Sequence, residues 1–203
     1  MNKRDMLDYE RIYLDNGATL IAGIDEAGRG PLAGPVVAAC VIMPLDTLIE
    51  GVNDSKKLSA KMREKLYALI VEKAISYAVA EVDNSVIDEI NILNATKQAM
   101  LAAVQKLSVK PDILLIDAVK LNTDIKMCPI ISGDALSYSI AAASILAKVH
   151  RDRLMLEYAK EYSQYGMDKH KGYGTAEHIE ALKTYGATPI HRKSFIKNFI
   201  EVK

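Results

Sequence analysis

Tryptophan is absent from this chain of 203 residues, and phenylalanine and cysteine each occur only twice. Two thiols cannot make a disulfide framework, and Cys40 and Cys128 lack metal-ligand spacing, so neither a disulfide-stapled module nor a cysteine-built zinc site is expected. Cys40 lies in an apolar run and reads as a core thiol. With no secretory leader discernible, a reducing cytoplasm is the expected compartment. No apolar run approaches the ~20 residues of a membrane span, so no membrane partner is expected. Net charge is missing too, since Lys plus Arg and Asp plus Glu both number 26. That balance alone argues neither for nor against a nucleic acid. Repeats and low-complexity linkers are also lacking.

Half of the residues are hydrophobic, ample for the core of one domain, or one domain with a small appendage. The charge is unevenly placed. Residues 144–203 hold 11 basic and 7 acidic side chains, leaving 15 and 19 in the preceding part. An acidic front and a basic back suit a metal site beside a phosphate-binding flank, although scatter accounts for the difference equally well.

The organising stretch runs from Thr19 to Met43, TLIAGIDEAGRGPLAGPVVAACVIM. An apolar strand delivers two adjacent carboxylates, Asp25 and Glu26, into a Gly28-Arg29-Gly30-Pro31 turn, and a second apolar strand follows. Ionised carboxylates at the buried end of a strand require water, a partner or a metal. A divalent cation is the simplest partner, because hard cations take oxygen ligands.

Residues 5–14 read as a short amphipathic helix, 18–25 and 35–43 as strands, and 53–57 as a polar loop. Ser59 caps a predicted helix over 60–74, with Leu66, Leu69, Ile70 and Ala74 on one face. ISYAVAEV, 75–82, is a third strand. Asp83 is a candidate cap for a short helix to Glu89, and 94–107 forms a second helix with Ala95, Ala99, Leu101, Ala102 and Leu107 inward. DILLID, 112–117, is apolar without alternation, which predicts a strand covered on both faces, parallel and central. Pro129 to Ile131 is a short last strand, and a long, close-packed helix covers about 137–162. Residues 166–174 read as a basic, glycine-rich loop. Thr175 caps a helix over 176–185, and a tail starts near Pro189. The order predicts an α/β domain with a mixed sheet and a helical extension.

Three acidic positions share one property. Asp25 and Glu26 end the first strand, Asp117 ends the central one, and Asp134 precedes the long helix. Functional groups of open α/β sheets gather at the carboxyl ends of strands, where these four could meet. Four acids without histidine suit Mg²⁺ or Mn²⁺ better than zinc. Such a site points to phosphodiester chemistry with two metals about 3.5–4 Å apart. Taken singly, Asp117 is as readily a turn cap and Asp134 a helix-initiating residue. The glycines of Gly28-Arg29-Gly30 and Gly34 imitate a dinucleotide motif, but Pro31 and Pro35 deny the helix that would hold a pyrophosphate. Exposed backbone beside an Arg29 phosphate fork is the better account. Tyr173, between glycines, has the means to stack on a sugar or base and to bond a hydroxyl, though on its own it equally anchors a solvated loop. His170, His178 and His191 lack metal spacing and read as surface or packing residues. Lys148, Arg151 and Arg153 are as readily a solvated face as a phosphate track.

The segments IAGIDEAGRGPLAGPVVAA, NDSKKLS, INILNATKQAM, LLIDAVKL, SIAAASILAKVHRDRLM, KHKGYGT and PIHRKSF together resemble the type 2 ribonuclease H family in its bacterial form. They keep the family's order and run from about residue 19 to 195. The resemblance implies a ribonuclease H-like mixed sheet of five strands flanked by helices, with a C-terminal helical extension. It divides the chain into an N-terminal lead, 1–17, a catalytic domain, 18–163, and a substrate-binding loop and helices, 164–203. It implies endonucleolytic cleavage of the RNA strand of RNA–DNA hybrids, leaving 5′-phosphate and 3′-hydroxyl ends. Incision on the 5′ side of single ribonucleotides in duplex DNA is also implied. The family's four catalytic and metal-binding acids fall on Asp25, Glu26, Asp117 and Asp134. Its junction-reading motif falls on Gly28, Arg29 and Gly30, and its substrate-sensing tyrosine on Tyr173. A monomer is expected. Type 3 relatives carry lysine in the corresponding turn and an extra N-terminal substrate domain, for which there is no room here. Two departures stand out. Ala135-Leu136-Ser137-Tyr138 replaces a frequently polar or basic run, so the resemblance does not carry over a substrate contact to side chains 135 and 136, while the metal role implied for Asp134 is unaffected. Little follows Lys203, so weaker hybrid binding than in longer-tailed relatives is expected.

Two other classes compete. A non-catalytic hybrid-binding module would leave all four acids idle, and a nucleotide-binding regulator would rest on the glycine turn alone.

Overall fold

The computed structural model describes residues 6–201; the N-terminal end of the predicted first helix and of the lead, and the end of the C-terminal tail, lie outside the described residues. Helix α1, Asp8–Leu14, leads into strand β1, Ile21–Ala27, which pairs antiparallel with β2, Val36–Ile42. Helix α2, Ala60–Lys73, starts where the Ser59 hydroxyl accepts from Met62 N, as its sequence position predicts. Strand β3, Ser76–Val82, lies antiparallel to β2. Helix α3, Asn84–Gln105, follows. Strands β4, Ile113–Asp117, and β5, Lys126–Ile130, extend the other side of β1 in parallel. The five-stranded mixed sheet has the order β3-β2-β1-β4-β5.

Alternation divides the sheet into two apolar faces. Ala22, Ile24, Ala38, Cys40 and Ile42 meet α3 on one face. Ala39, Val41 and Met43 meet α5, Tyr138–Glu161, on the other. Helix α5 crosses β1 closely: a Cβ built on Gly23 would stand 2.0 Å from the main chain of Ser139. The Ala141–Ala143 row permits this approach, with all three residues fully buried. Buried Glu10 of α1 receives Ser137 Oγ at 2.7 Å and Ser139 N at 2.9 Å, pinning the start of α5.

Several expectations change in detail. Strand β1 runs two residues further than predicted, to Ala27. Strand β4 has parallel partners on both sides, but β1 occupies the middle of the sheet. The two helices predicted before and after residue 90 are continuous except for a kink at Asn91, φ +66. There Asn91 Oδ1 accepts from Leu93 N and Asn94 N, capping the second half. Asp83 takes the first cap position without a side-chain bond. Ala95 and Ala99 are buried as expected, together with Met100, Ala103 and Val104, while Leu101, Ala102 and Leu107 are only half-buried. The polar loop at 53–57 contains a 3₁₀ turn, Ser55–Lys57. Asp134 lies inside a short helix, α4, Gly133–Leu136, immediately before α5.

The basic loop contains α6, Met167–His170. It is followed by α7, Ala176–Tyr185, capped by Thr175 as predicted, and α8, Lys193–Ile196. These elements pack around Leu32, Ala33 and Met155 in one cluster. Main-chain bonds from Leu32 N to Gly172 O and from Arg192 N to Leu32 O, each 2.8 Å, stitch them to the β1–β2 turn. Among the described residues no helix is long and apolar enough to cross a membrane.

Candidate active site

Parallel pairing of β1 with β4 sets Ile24 opposite Ile116. The next residue on each strand is an acid, so Asp25 and Asp117 follow side by side on strands ~4.8 Å apart, each still paired at its other edge, with Ala39 and Ile130. Asp134 arrives from a third segment. Gly133 N donates to Asp117 Oδ1 at 3.1 Å, which ties α4 to the end of β4. The connections bend sharply around these acids: Ala118 and Ser132 hold φ of +49 and +57. A left-handed backbone costs a non-glycine residue about 1–2 kcal/mol, so strain collects beside the two carboxylates, as it does at functional sites.

Asp25, Glu26 and Asp117 line one cavity of about 220 Å³. Gly28, Arg29 and Gly30 border it, and Tyr173 lies across from them; a Cβ on Gly30 would be 3.7 Å from its ring. Tyr173 keeps 44% of its surface exposed, enough ring for stacking. Asp134, 4% exposed, stands beside this cavity and not on its wall. It is joined to the site by Lys56, whose Nζ lies 2.8 Å from Asp134 Oδ2. Thus seven of the eight predicted site residues share one cavity, and the eighth is one ion pair away.

Helix α5 supplies groups from the face of Gly23. Ser144 hydrogen-bonds Asp25 and meets Ser55 Oγ at 2.8 Å. Lys148, one turn further, lines the cavity and pairs with Asp152 at 2.6 Å. Sequence reasoning missed Ser55, Lys56 and Ser144. The Lys56-Lys57 pair after Asp54-Ser55 was a signal, since cations beside an acidic cluster have a purpose there.

Burial, then the charge of Glu26, pushes the Asp25 carboxyl well above the usual carboxylate range, and Asp117 adds to the push. Burial also raises Glu26, while the Arg29 guanidinium at 3.2 Å opposes it. The Asp134 hydrogen bond raises Lys56 in turn. Such mutual repulsion is relieved by a cation.

Among the described residues, no three His, Cys, Asp or Glu side chains close into a metal cage by themselves. The donor set nonetheless fits Mg²⁺ or Mn²⁺ held in an open site. All donors are oxygens, and such ions are commonly bound by one or two carboxylates, waters and substrate phosphate. Glu26 Oε2 is buried without a hydrogen-bond partner, an acceptor available to a cation. Lys56 already places positive charge on Asp134.

Other basic and imidazole groups act as internal struts. Arg151 is buried and bonded to main-chain carbonyls, so it is neither a solvated residue nor a phosphate track. Arg153 is exposed and pairs with Glu64. His178 and His191 are buried, not superficial, with their Nε2 atoms 3.0 Å apart, and His170 stacks on His178. His178 Nδ1 donates to Tyr173 O at 2.9 Å, which anchors the Tyr173 loop. Of the surface and packing roles expected of these histidines, packing is the one that His178 and His191 have.

Comparison with known proteins agrees with this fold. The family model described as Ribonuclease HII matches residues 22–198. The chain is 59% identical over 197 residues to a Ruminiclostridium cellulolyticum protein named Ribonuclease HII, covering 97% of this chain and 77% of that protein. Its fold matches the crystal structure of the ribonuclease H2 from Pyrococcus horikoshii with a TM-score of 0.76 at 27% identity, over 91% of this chain and 100% of the other. It also matches Archaeoglobus fulgidus RNase HII, solved as a complex with PCNA, with a TM-score of 0.75 at 28% identity, over 86% and 94% of the two chains. With a five-stranded mixed sheet of this topology and a family match across nearly its whole length, the chain belongs to the ribonuclease HII family.

Proposed function

We propose that this ribonuclease H hydrolyses the RNA strand of RNA–DNA hybrids and incises 5′ to single ribonucleotides in duplex DNA, leaving 5′-phosphate and 3′-hydroxyl ends. The carrying observation is the emergence of Asp25 and Asp117 from adjacent parallel strands into one cavity with Glu26. Asp25, Glu26 and Asp117 are the proposed holders of the metal ions, with Asp134 completing the set. Two bound Mg²⁺ or Mn²⁺ ions would supply an activated water and charge stabilisation at the leaving oxygen.

The protein's own groups would bind and orient. The main chain of Gly28 and Gly30, with Arg29, contacts the junction nucleotide. Tyr173 stacks on the deoxyribose that follows the ribonucleotide, reading the RNA-to-DNA step. Lys148 and Lys56, which line the same cavity, would meet the incoming phosphate. Residues 18–163 form the catalytic unit in this reading, and 164–203 the substrate-contacting unit. A cytoplasmic monomer acting on these duplexes is proposed with it.

The test is a nicking assay on a duplex with one ribonucleotide, run in each metal with wild type and Asp25→Asn. Wild type should nick only with a divalent ion. Asp25→Asn should lose at least about a hundredfold in rate, the equivalent of ~2.7 kcal/mol, while its hybrid binding remains measurable. A variant purified free of host enzyme that cleaves at the wild-type rate would refute the assignment.

A further inference from the structure

Two buried guanidiniums, Arg151 on α5 and Arg192 just before α8, meet beneath the Gly28–Pro35 turn. They are 1% and 0% exposed. Their acceptors are main-chain carbonyls throughout. Arg151 Nε donates to Pro35 O at 3.1 Å, Nη1 to Lys171 O at 3.0 Å and Nη2 to Ala33 O at 3.0 Å. Arg192 Nε donates to Gly34 O at 2.9 Å and Nη1 to Arg29 O at 3.0 Å. Its Nη2 reaches Gly28 O at 2.6 Å and Pro35 O at 3.1 Å. Asp152 and Asp88 act on the two charges only electrostatically. Burying two cations on carbonyl dipoles is costly, and an apolar pair would fill the space more cheaply. What the guanidiniums add is directional: their fixed fork of donors dictates where carbonyls point.

The consequence falls on the turn that borders the active-site cavity. The peptides are trans, so each C=O and the following N–H point opposite ways. With Gly28 O and Arg29 O turned inward onto Arg192, the N–H groups of Arg29 and Gly30 turn outward. Among the described residues neither has a hydrogen-bond partner. Gly28 is required for this conformation: its φ is +93, and a Cβ there would come within 2.0 Å of Arg151 Nε. Arg151 also grips Lys171 O, so the same pair ties the turn to the loop that carries Tyr173. Burial pulls Arg192 down to about 9 and Arg151 to about 10, and both stay charged at neutral pH.

We infer that Arg151 and Arg192 are positioning residues for junction recognition: they hold the Gly28–Gly30 peptides carbonyl-inward, present the Arg29 and Gly30 N–H groups to acceptors of the bound nucleotide, and fix that turn relative to Tyr173. This rests on the proposed reading of the turn and Tyr173 as substrate contacts. The two substrate-facing segments, remote in sequence, thereby behave as one rigid unit.

The test compares kcat/KM for a duplex with a single ribonucleotide against kcat/KM for a uniform RNA–DNA hybrid, in wild type, Arg192→Lys, Arg151→Lys and Arg29→Ala. Lysine keeps the charge and loses the fork. Folded Lys variants should lower the ratio at least about tenfold, because a general loss of stability would lower both activities together. An unchanged ratio in folded Lys variants, with a lowered ratio in Arg29→Ala, overturns the positioning role and leaves the turn's contact role standing. An unchanged ratio in Arg29→Ala as well removes the contact role of the Arg29 side chain, since that substitution keeps the main-chain N–H. Should the Lys variants not fold, guanidinium ¹⁵N spectra of otherwise intact Asp25→Asn decide the matter. The Arg192 signals should move more with a junction duplex than with plain DNA, and equal responses overturn the inference.

Discussion

Lys56 Nζ stands 2.8 Å from Asp134 Oδ2, so an ammonium holds the carboxylate that the proposed metal site would share. The lysine side chain is 76% exposed and Asp134 only 5%, which makes Lys56 the partner able to swing away. Such a contact competes with a divalent ion. Lys56→Ala should therefore tighten metal binding, by up to about fivefold given the ~1 kcal/mol ceiling for an exposed pair. Titration calorimetry with Mg²⁺ or Mn²⁺ in the absence of substrate measures it; equal or weaker binding would show that the ammonium does not compete.

Tyr173 offers a half-exposed ring across from Gly30. Tyr173→Ala should reduce single-ribonucleotide incision by roughly fivefold to 150-fold, from the ~1–3 kcal/mol of aromatic stacking, with a smaller effect on duplex binding. Tyr173→Phe should retain most of the incision. Single-turnover rates alongside binding isotherms check both, and an unaltered incision rate in Tyr173→Ala removes the residue from the mechanism.

Close passage of α5 over β1 leaves no space at Gly23, where a methyl group would meet the main chain of Ser139 and Ile140 at 2.0 and 2.5 Å. Gly23→Ala should destabilise by at least about 3 kcal/mol, since helix and strand must part. For a chain of this size that corresponds to a Tm lowered by roughly 6–12 °C. A melting curve within a degree or two of wild type would contradict the packing.

The buried histidines form a chain of fixed tautomers. His178 donates through Nδ1 to Tyr173 O, so its Nε2 accepts from His191 Nε2, whose Nδ1 accepts from Thr188 N at 3.0 Å. Burial, then the neighbouring His178, holds His191 down to about 4. Between that value and the ~6.5 of an unfolded histidine the unfolded chain binds the extra proton, so stability falls as pH falls through this window. The expected loss is up to roughly 3 kcal/mol, near 1.36 kcal/mol per unit. Denaturant unfolding between pH 7 and pH 4.5 should show it, and His191→Gln should flatten the slope. A slope unaltered by that substitution would place the acid sensitivity elsewhere.

Legibility in the sequence followed how local each cause was. Ser59 and Thr175 were readable as caps because the hydroxyl acts on an N–H three residues away. Strand β1 was readable because apolar residues fill both of its faces. The interruption between the two halves of α3 was readable as well, but its form was not, since that depends on one left-handed residue, Asn91. Arg151 was misread for a different reason. Its acceptors, at Ala33, Pro35 and Lys171, lie in two other segments, and a charge that finds its solvation in distant carbonyls looks like any surface charge along the chain.

By itself the sequence determined that Asp25, Glu26 and Asp117 would lie toward the carboxyl ends of apolar strands, that glycines would surround Arg29, and that the chain would carry the ribonuclease HII order of motifs. Strand ends and turns are written in local patterns of apolarity, glycine and proline. Only the tertiary structure decided that β4 lies beside β1, which brings Asp117 level with Asp25, that Lys56 rests on Asp134, and that Arg151 and Arg192 grip the turn from beneath. Those pairings join residues tens of positions apart, and their energies arise from burial and geometry that exist only once the sheet and α5 have closed on each other.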